Sequence, residues 1–414
     1  MEAAGLRILP SGTVLLSTRA PIGYVAIARD PVTTNQGFRS LVVKPGFEPE
    51  FIYYLLRRDT ERLKAFSTGT TFGELSGSTL GGLRFSIPPL PEQRAIARVL
   101  GSLDDEFVSR KGESKGLRRI FDHLMRHLLD GSWSVHEGES WLQEVRPLVQ
   151  ACDDKIELNR RMNQTLEEIC RALFKFWFVD FGPVRAKMEN RWKKGESLPG
   201  MPADMWDLWP SEFEESEIGE IPKGWKLAAL GTLVEHISER VEASPDKDHA
   251  RYIALEDMPS RSITLNSFRS GAQVNSSIIR FRRDDILFGA MRPYFHKVGL
   301  AQFDGITRST TLVLRPREEA LCPYALFALA SPEVIEYATA ASVGTTIPYV
   351  HWRSLADYPV PLPSQRVLLR FAETWAPILR AIRHRGAEAH ALSETRDALL
   401  PKLLSGEIRV KVDS

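Results

Sequence analysis

Short apolar, β-branched runs broken by Gly, Pro and Thr fill residues 8–28 (ILPSGTVLLSTRAPIGYVAIA), a pattern that predicts strands joined by tight turns. Residues 279–301 (IRFRRDDILFGAMRPYFHKVGLA) carry the same pattern. A strand ended by Pro follows in both places, RSLVVKP at 39–45 and TTLVLRP at 310–316. Next comes a helical stretch, FIYYLLRR (51–58) or PYALFALAS (323–331), then Gly-Thr-Thr at 69–71 or 344–346, then a Pro-rich hinge, PPLPEQR (88–94) or PVPLPSQR (359–366). A helical spacing of three and four residues then sets in. Leu368, Phe371, Ala372, Trp375, Ile378, Leu379 and Ile382 form one helical stripe, which Leu392, Leu399 and Leu403 extend. Pro377 and Gly386 predict a kink or a short break in that helix. LRRIFDHLMRHLLDG (117–131) parallels SETRDALLPKLLSGE (393–407), so the repeat covers 8–131 and 279–406, a domain plus a helix.

Between the copies lies a second predicted helix, 153–178, with a seam at Ile156, Met162, Leu166, Ile169, Leu173 and Trp177. A polar linker with Pro and Trp is expected at 184–220. Its stretch from Asp204 to Glu220 holds Asp204, Asp207, Glu212, Glu214, Glu215, Glu217 and Glu220 and no Lys or Arg.

Composition narrows the classes. At 414 residues, with 43% hydrophobic and 26% charged, the chain has room for two or three cores. No apolar run is long enough for a membrane span, and no signal pattern opens the sequence, so a cytoplasmic location is the default. Cys152, Cys170 and Cys322 lack metal-ligand spacing and read as small buried residues. The net charge of +1 neither suggests nor excludes nucleic acid. There is no P-loop. The Asp-Asp pairs at 104–105, 153–154 and 284–285 read as element starts rather than metal ligands.

The phrases IPPLPEQRAIARVLGSLDD, DDKIELNRRMNQTLEEICRALFKFWFVDFGPV, SEIGEIPKGWKL and ALLPKLLSGEIRV closely resemble the specificity subunit of Type I restriction–modification systems, over nearly the whole chain. The resemblance implies an α+β fold in which β-rich target-recognition domains alternate with long helices, the helices pairing as an antiparallel coiled coil. It implies a non-catalytic subunit that reads a split site on double-stranded DNA and docks methyltransferase and restriction (translocase) subunits. No cofactor is expected on this chain; S-adenosylmethionine, ATP and Mg belong to the partners. Self-association of identical chains is a further expectation. The two modules explain the repeat, because a few kcal/mol per base pair read by one small module cannot single out a site in a genome.

The expected domains are a partial first recognition domain at 1–90, a helical spacer at 91–135, an inserted segment with the first helical region at 136–183, the acidic linker at 184–220, the second recognition domain at 221–362 and the second helical region at 363–414. The first recognition domain reads as N-terminally truncated relative to the family. Residues 106–152 interrupt the phrase that in the family runs from LGSLDD into KIELNRR. Both departures fit a chain recombined from two specificity subunits. They keep open a silent cassette without activity as the alternative and make the second module the expected reader. A fused methyltransferase is less favoured, since its motifs are missing.

Residue type and loop position nominate the DNA contacts. In the first module they are Thr18, Arg19, Tyr24 and Arg39, with Asn35, Gln36 and the Gly-Thr-Thr hydroxyls Thr70 and Thr71. In the second they are Arg292, Tyr294, His296, Lys297, Arg308, Thr345 and Thr346. The aromatic run Phe174, Phe176, Trp177 and Phe178 exceeds what one seam needs and is expected to include a partner contact.

Overall fold

The computed structural model describes residues 8–19, 21–66, 74–109, 114–241, 250–274, 278–405 and 407–408. The chain is a mixed helix-and-sheet protein that divides into two compact units, Met1–Ile156 with Ala391–Ser414, and Glu157–His390.

In the first unit the strand Val14–Ser17 is flanked by Val25–Ile27 and Phe38–Leu41, both antiparallel to it. Val14 and Leu16 turn inward onto Leu56, Leu63 and Leu75. The helical part of this unit departs from the expected single arm. Helix Leu90–Ser109 and helix Lys115–Asp130 are separate and pack on each other, sharing a core of Ile96, Leu100, Leu103, Ile120, Phe121 and Leu124. The second of them starts at its own cap, where Ser114 Oγ accepts the Leu117 N–H at 3.1 Å, and stops at Gly131 in the left-handed region.

The second unit holds two five-stranded sheets. One runs 264–265, 298–301, 286–289, 311–316, 234–237; the other runs 269–270, 251–252, 305–308, 278–281, 240–241. Ile279 and Phe281 from one and Leu287, Ala301 and Val313 from the other meet in one apolar layer. Strands Lys226–Ala229 and Pro359–Leu362 pair antiparallel and tie the two ends of the module together.

The repeat extends to hydrogen-bond register. Val14 faces Ile27 and Leu41; Ile286 faces Leu300 and Leu314. After each Gly-Thr-Thr segment the chain returns to the same place, Leu75 N–H on the Thr18 carbonyl and Val350 N–H on the Ala290 carbonyl, both at 3.0 Å. The third strand sits two residues away from the alignment of the Leu-Val phrases, which would match Leu41 with Leu312. An even shift keeps the same side chains facing inward, so the core tolerates it.

Helix Val135–Phe174, continued by a π-turn at Lys175–Val179, and helix Gln365–Leu404 are the long helices. They run antiparallel. In the second unit Asn159 meets Glu388 and Phe174 meets Phe371; in the first, Trp141 donates to the Leu403 carbonyl. The expected break at Pro377 and Gly386 is absent: one helix runs from Gln365 to Leu404, with Phe371, Trp375 and Ile382 buried on either side of Pro377.

The seam on the first long helix is rotated from the expected one. Met162 and Ile169 are exposed, 39% and 46%, whereas Asn159, Asn163 and Glu167 are buried. Each of these side chains makes a hydrogen bond, although Asn163 Oδ1 is buried without a donor. Asn159 donates to Glu388 at 2.8 Å and Asn163 to the Ile382 carbonyl at 3.1 Å. Glu167 accepts the Ile263 N–H at 3.0 Å and the Ser262 hydroxyl at 3.0 and 3.1 Å. Glu167→Ala leaves that N–H and hydroxyl buried without an acceptor, an expected cost of about 1–3 kcal/mol in a urea melt.

Residues 184–220 are not a solvated linker. Val184, Trp192, Met201, Met205 and Trp209 are core residues of the second unit. The Lys187 ammonium is buried beneath them. It donates to the carbonyls of Trp206 (2.6 Å) and Trp209 (2.5 Å), and burial lowers its pKa. The acidic run stays at the surface because these apolar residues alternate with it.

Candidate nucleic-acid interface

The turn between strands Ile286–Gly289 and Val298–Ala301 is short and bent twice. Arg292 and His296 both adopt positive φ, 51° each, on either side of a single helical turn at Pro293–Phe295. Non-glycine residues pay for that conformation, and such strain gathers at functional sites. Between them Tyr294 and Phe295 stand out, each 45% exposed, their rings 4.8 Å apart.

Two other loops are stapled to this turn. The Gly-Thr-Thr loop closes through Val343 and Tyr349, which exchange N–H···O bonds of 2.9 and 3.0 Å, and the Arg292 N–H reaches the Pro348 carbonyl at 2.8 Å. Gly344 has φ 98°, and a Cβ there would meet the Ile347 carbonyl at 3.1 Å, so the tight loop needs Gly. It leaves Thr345 and Thr346 exposed beside Arg292. From the other side Ser260 Oγ donates to the Phe295 carbonyl at 2.6 Å and the Arg261 N–H to the His296 carbonyl at 2.9 Å. Arg261 also has positive φ, 59°.

Of the nominated second-module residues, Arg292, Tyr294, His296, Thr345 and Thr346 thus come together. Arg292 has no carboxylate partner among the described residues, and its Nε is buried without an acceptor. Lys297 turns away, its ammonium on the Leu255 carbonyl at 2.7 Å, where it holds a loop. Arg308 lies exposed at the end of another strand, hydrogen-bonded to Tyr252.

The first module arranges its residues differently. Thr18 is fully buried, with its amide (2.8 Å) and hydroxyl (3.2 Å) on the Gly37 carbonyl. Asn35 caps its own turn by accepting the Gly37 N–H. Arg19 and Arg39 converge on one carboxylate, Glu74, at 3.2 and 3.9 Å. Tyr24 is 68% exposed. Thr70 and Thr71 lie outside the described residues.

The aromatic run is interior. Trp177 is fully buried against Trp209 and Phe371; Phe178 packs on Tyr324, Trp225 and Phe371; Phe174 packs on Phe327 and Tyr324; Phe176 is half-buried. The π-turn advances these rings around the helix, so one face alone does not carry them. The expected partner contact therefore gives way to a core.

Sequence reading missed Arg171 and Arg261. Arg171 Nη2 donates to the Arg261 carbonyl at 2.9 Å, and Arg261 Nη2 lies 3.4 Å from His296 Nε2. The one signal for Arg261 is its place in the short turn MPSRS, since nothing in the helical pattern marks Arg171.

The second unit thus carries a β-rich module with cations and exposed rings on adjoining loops. Residues 1–117 match the model of the Type I restriction modification DNA specificity domain. The chain is 29% identical to the MjaIX specificity subunit of Methanocaldococcus jannaschii, over 99% of this chain and 81% of that one. It is 26% identical to the HindI specificity subunit of Haemophilus influenzae, over 64% and 67%. Among solved structures, the S subunit from M. genitalium is similar at 15% identity and a TM-score of 0.40, over 96% and 84%; a score that low places no residue. The chain is thus similar to specificity subunits of Type I restriction–modification systems over nearly its whole length.

Proposed function

We propose that this chain reads double-stranded DNA chiefly through its second module and assembles with methyltransferase and restriction subunits, which bring S-adenosylmethionine, ATP and Mg. The observation that carries this reading is the contrast between the modules. The second presents Arg292 without a carboxylate partner, beside exposed Tyr294, Phe295, Thr345 and Thr346. The first joins Arg19 and Arg39 to Glu74. Unneutralised Arg next to hydroxyls and rings suits base edges and phosphates, whereas a paired Arg must first give up its partner. A split site follows either from the two modules of one chain or from two chains that each present the second module. With the aromatic run interior, the large apolar side chains open to a methyltransferase on the first long helix are Leu148, Leu158, Met162 and Ile169.

The test is a fluorescence titration of the chain, with its methyltransferase partner, against duplexes carrying and lacking the methylated site identified in cells bearing this gene. Arg292→Ala is expected to weaken binding to the site by about 1–3 kcal/mol and to leave other duplexes nearly unchanged. Equal loss on all duplexes would assign Arg292 to the backbone instead, and no loss would remove this loop from the interface.

A further inference from the structure

Arg171, Arg261 and His296 form a cluster in which only His296 is a nominated contact. They come from three elements, the first long helix, the 258–263 turn and the 291–297 turn. Arg171 donates to the Arg261 carbonyl at 2.9 Å, and the Arg261 guanidinium reaches within 3.4 Å of the His296 ring. The backbone is bent to make this happen, with φ of 59° at Arg261 and 51° at His296.

The carboxylates facing the cluster are Glu167, Glu168 and Glu336. Glu167 spends its oxygens on Ser262 and Ile263, and neither Arg171 nor Arg261 has an ion pair among the described residues. Burial, and then Arg261 opposed by Glu167 and Glu168, holds the Arg171 pKa below its usual value. Burial, then Arg261 and Arg171, lowers that of His296, against Glu336. Two guanidinium groups held together repel one another, and would repel a protonated imidazole, unless an anion lies between them.

We infer that Arg171, Arg261 and His296 form a phosphate-binding site that takes a backbone phosphodiester of the bound duplex, so that the helix as well as the loops grips the DNA. This rests on the DNA-reading proposal above. A planar guanidinium fork suits phosphate oxygens, and His296 joins as a donor by taking up a proton when the anion arrives. Binding is therefore stronger on the acid side of neutrality.

The experiment measures affinity of the full chain with its methyltransferase partner for mixed-sequence duplexes at several salt concentrations, and binding of inorganic phosphate by calorimetry. The variants are Arg171→Gln, Arg171→Lys, Arg261→Asn and His296→Asn; Asn tolerates positive φ, so the bends survive. Arg171→Gln and Arg261→Asn are each expected to lower the slope of log affinity against log salt by about one unit on every duplex alike, with unchanged thermal melts. Arg171→Lys keeps the slope, and His296→Asn flattens the rise in affinity between pH 8 and pH 6. Phosphate binding that Arg261→Asn abolishes, with no duplex bound by the unaltered chain, supports the anion site and sinks the DNA reading. Duplex binding whose salt slope survives both Arg171→Gln and Arg261→Asn overturns the site and leaves the DNA reading standing.

Discussion

Trp177→Ala lowers the stability of the chain by about 3–5 kcal/mol in a urea titration, among the largest effects expected of any single substitution here. Trp177 is fully buried, edge-on to Trp209 at 5.6 Å and tilted on Phe371 at 5.4 Å. Those two rings come from the 184–220 segment and from the second long helix, so the cavity would open where three parts of the unit meet. Rigid aromatic neighbours collapse poorly into such a void. The same substitution separates the two readings of the aromatic run. A docking residue would leave the melt in place and weaken only co-purification of the methyltransferase. A loss under about 1 kcal/mol would return Trp177 to the surface.

Arg396→Ala is expected to cost a comparable 3–5 kcal/mol, roughly the penalty for leaving a buried charge without its partner. Arg396 and Asp153 are 4% and 7% exposed and hydrogen-bonded to each other, and Asp153 also accepts from Ser114. Arg396 continues to Asp397 at 3.0 Å and to Ser393 at 3.2 Å. The backbone closes tightly around the pair. A Cβ at Gly116 would lie 2.3 Å from Val149 and 2.8 Å from Asp153, so Gly is what lets the Lys115–Asp130 helix approach. Asp153→Leu with Arg396→Leu should recover most of the loss, because an apolar pair of similar volume removes both desolvation penalties. The double change in a chemical-denaturation cycle checks this. Additive losses would show that the two residues do not act as a pair.

Much of the architecture was legible in the order of apolar and polar residues. The short apolar runs at 14–17 and 286–289 and their Gly- and Pro-broken turns marked the strands, and the three-and-four stripe from Leu368 to Ile382 marked a helix whose Phe371, Trp375 and Ile382 are buried. Local chemistry decides such things, since side-chain alternation and helical spacing are properties of a few neighbouring residues. The phrases that matched the specificity subunits were equally local. The candidate site was half legible. Arg292, Tyr294 and the threonines stood out by type and by turn, whereas Arg261 and Arg171 come together only because a turn meets the first long helix, and sequence order does not record that meeting.

What the sequence determined by itself is the duplicated module, its strand segments and the existence of the helices. The tertiary structure alone decided which side of the first long helix faces inward. Ile169 looked like a seam residue and Asn163 like a solvated one, yet Ile169 is 46% exposed and Asn163 is buried on the Ile382 carbonyl, 219 positions away. A buried amide is tolerated only when a partner is in place. That partner comes from a distant part of the chain, so a rotation of one residue about the helix axis could be settled only by the folded pair.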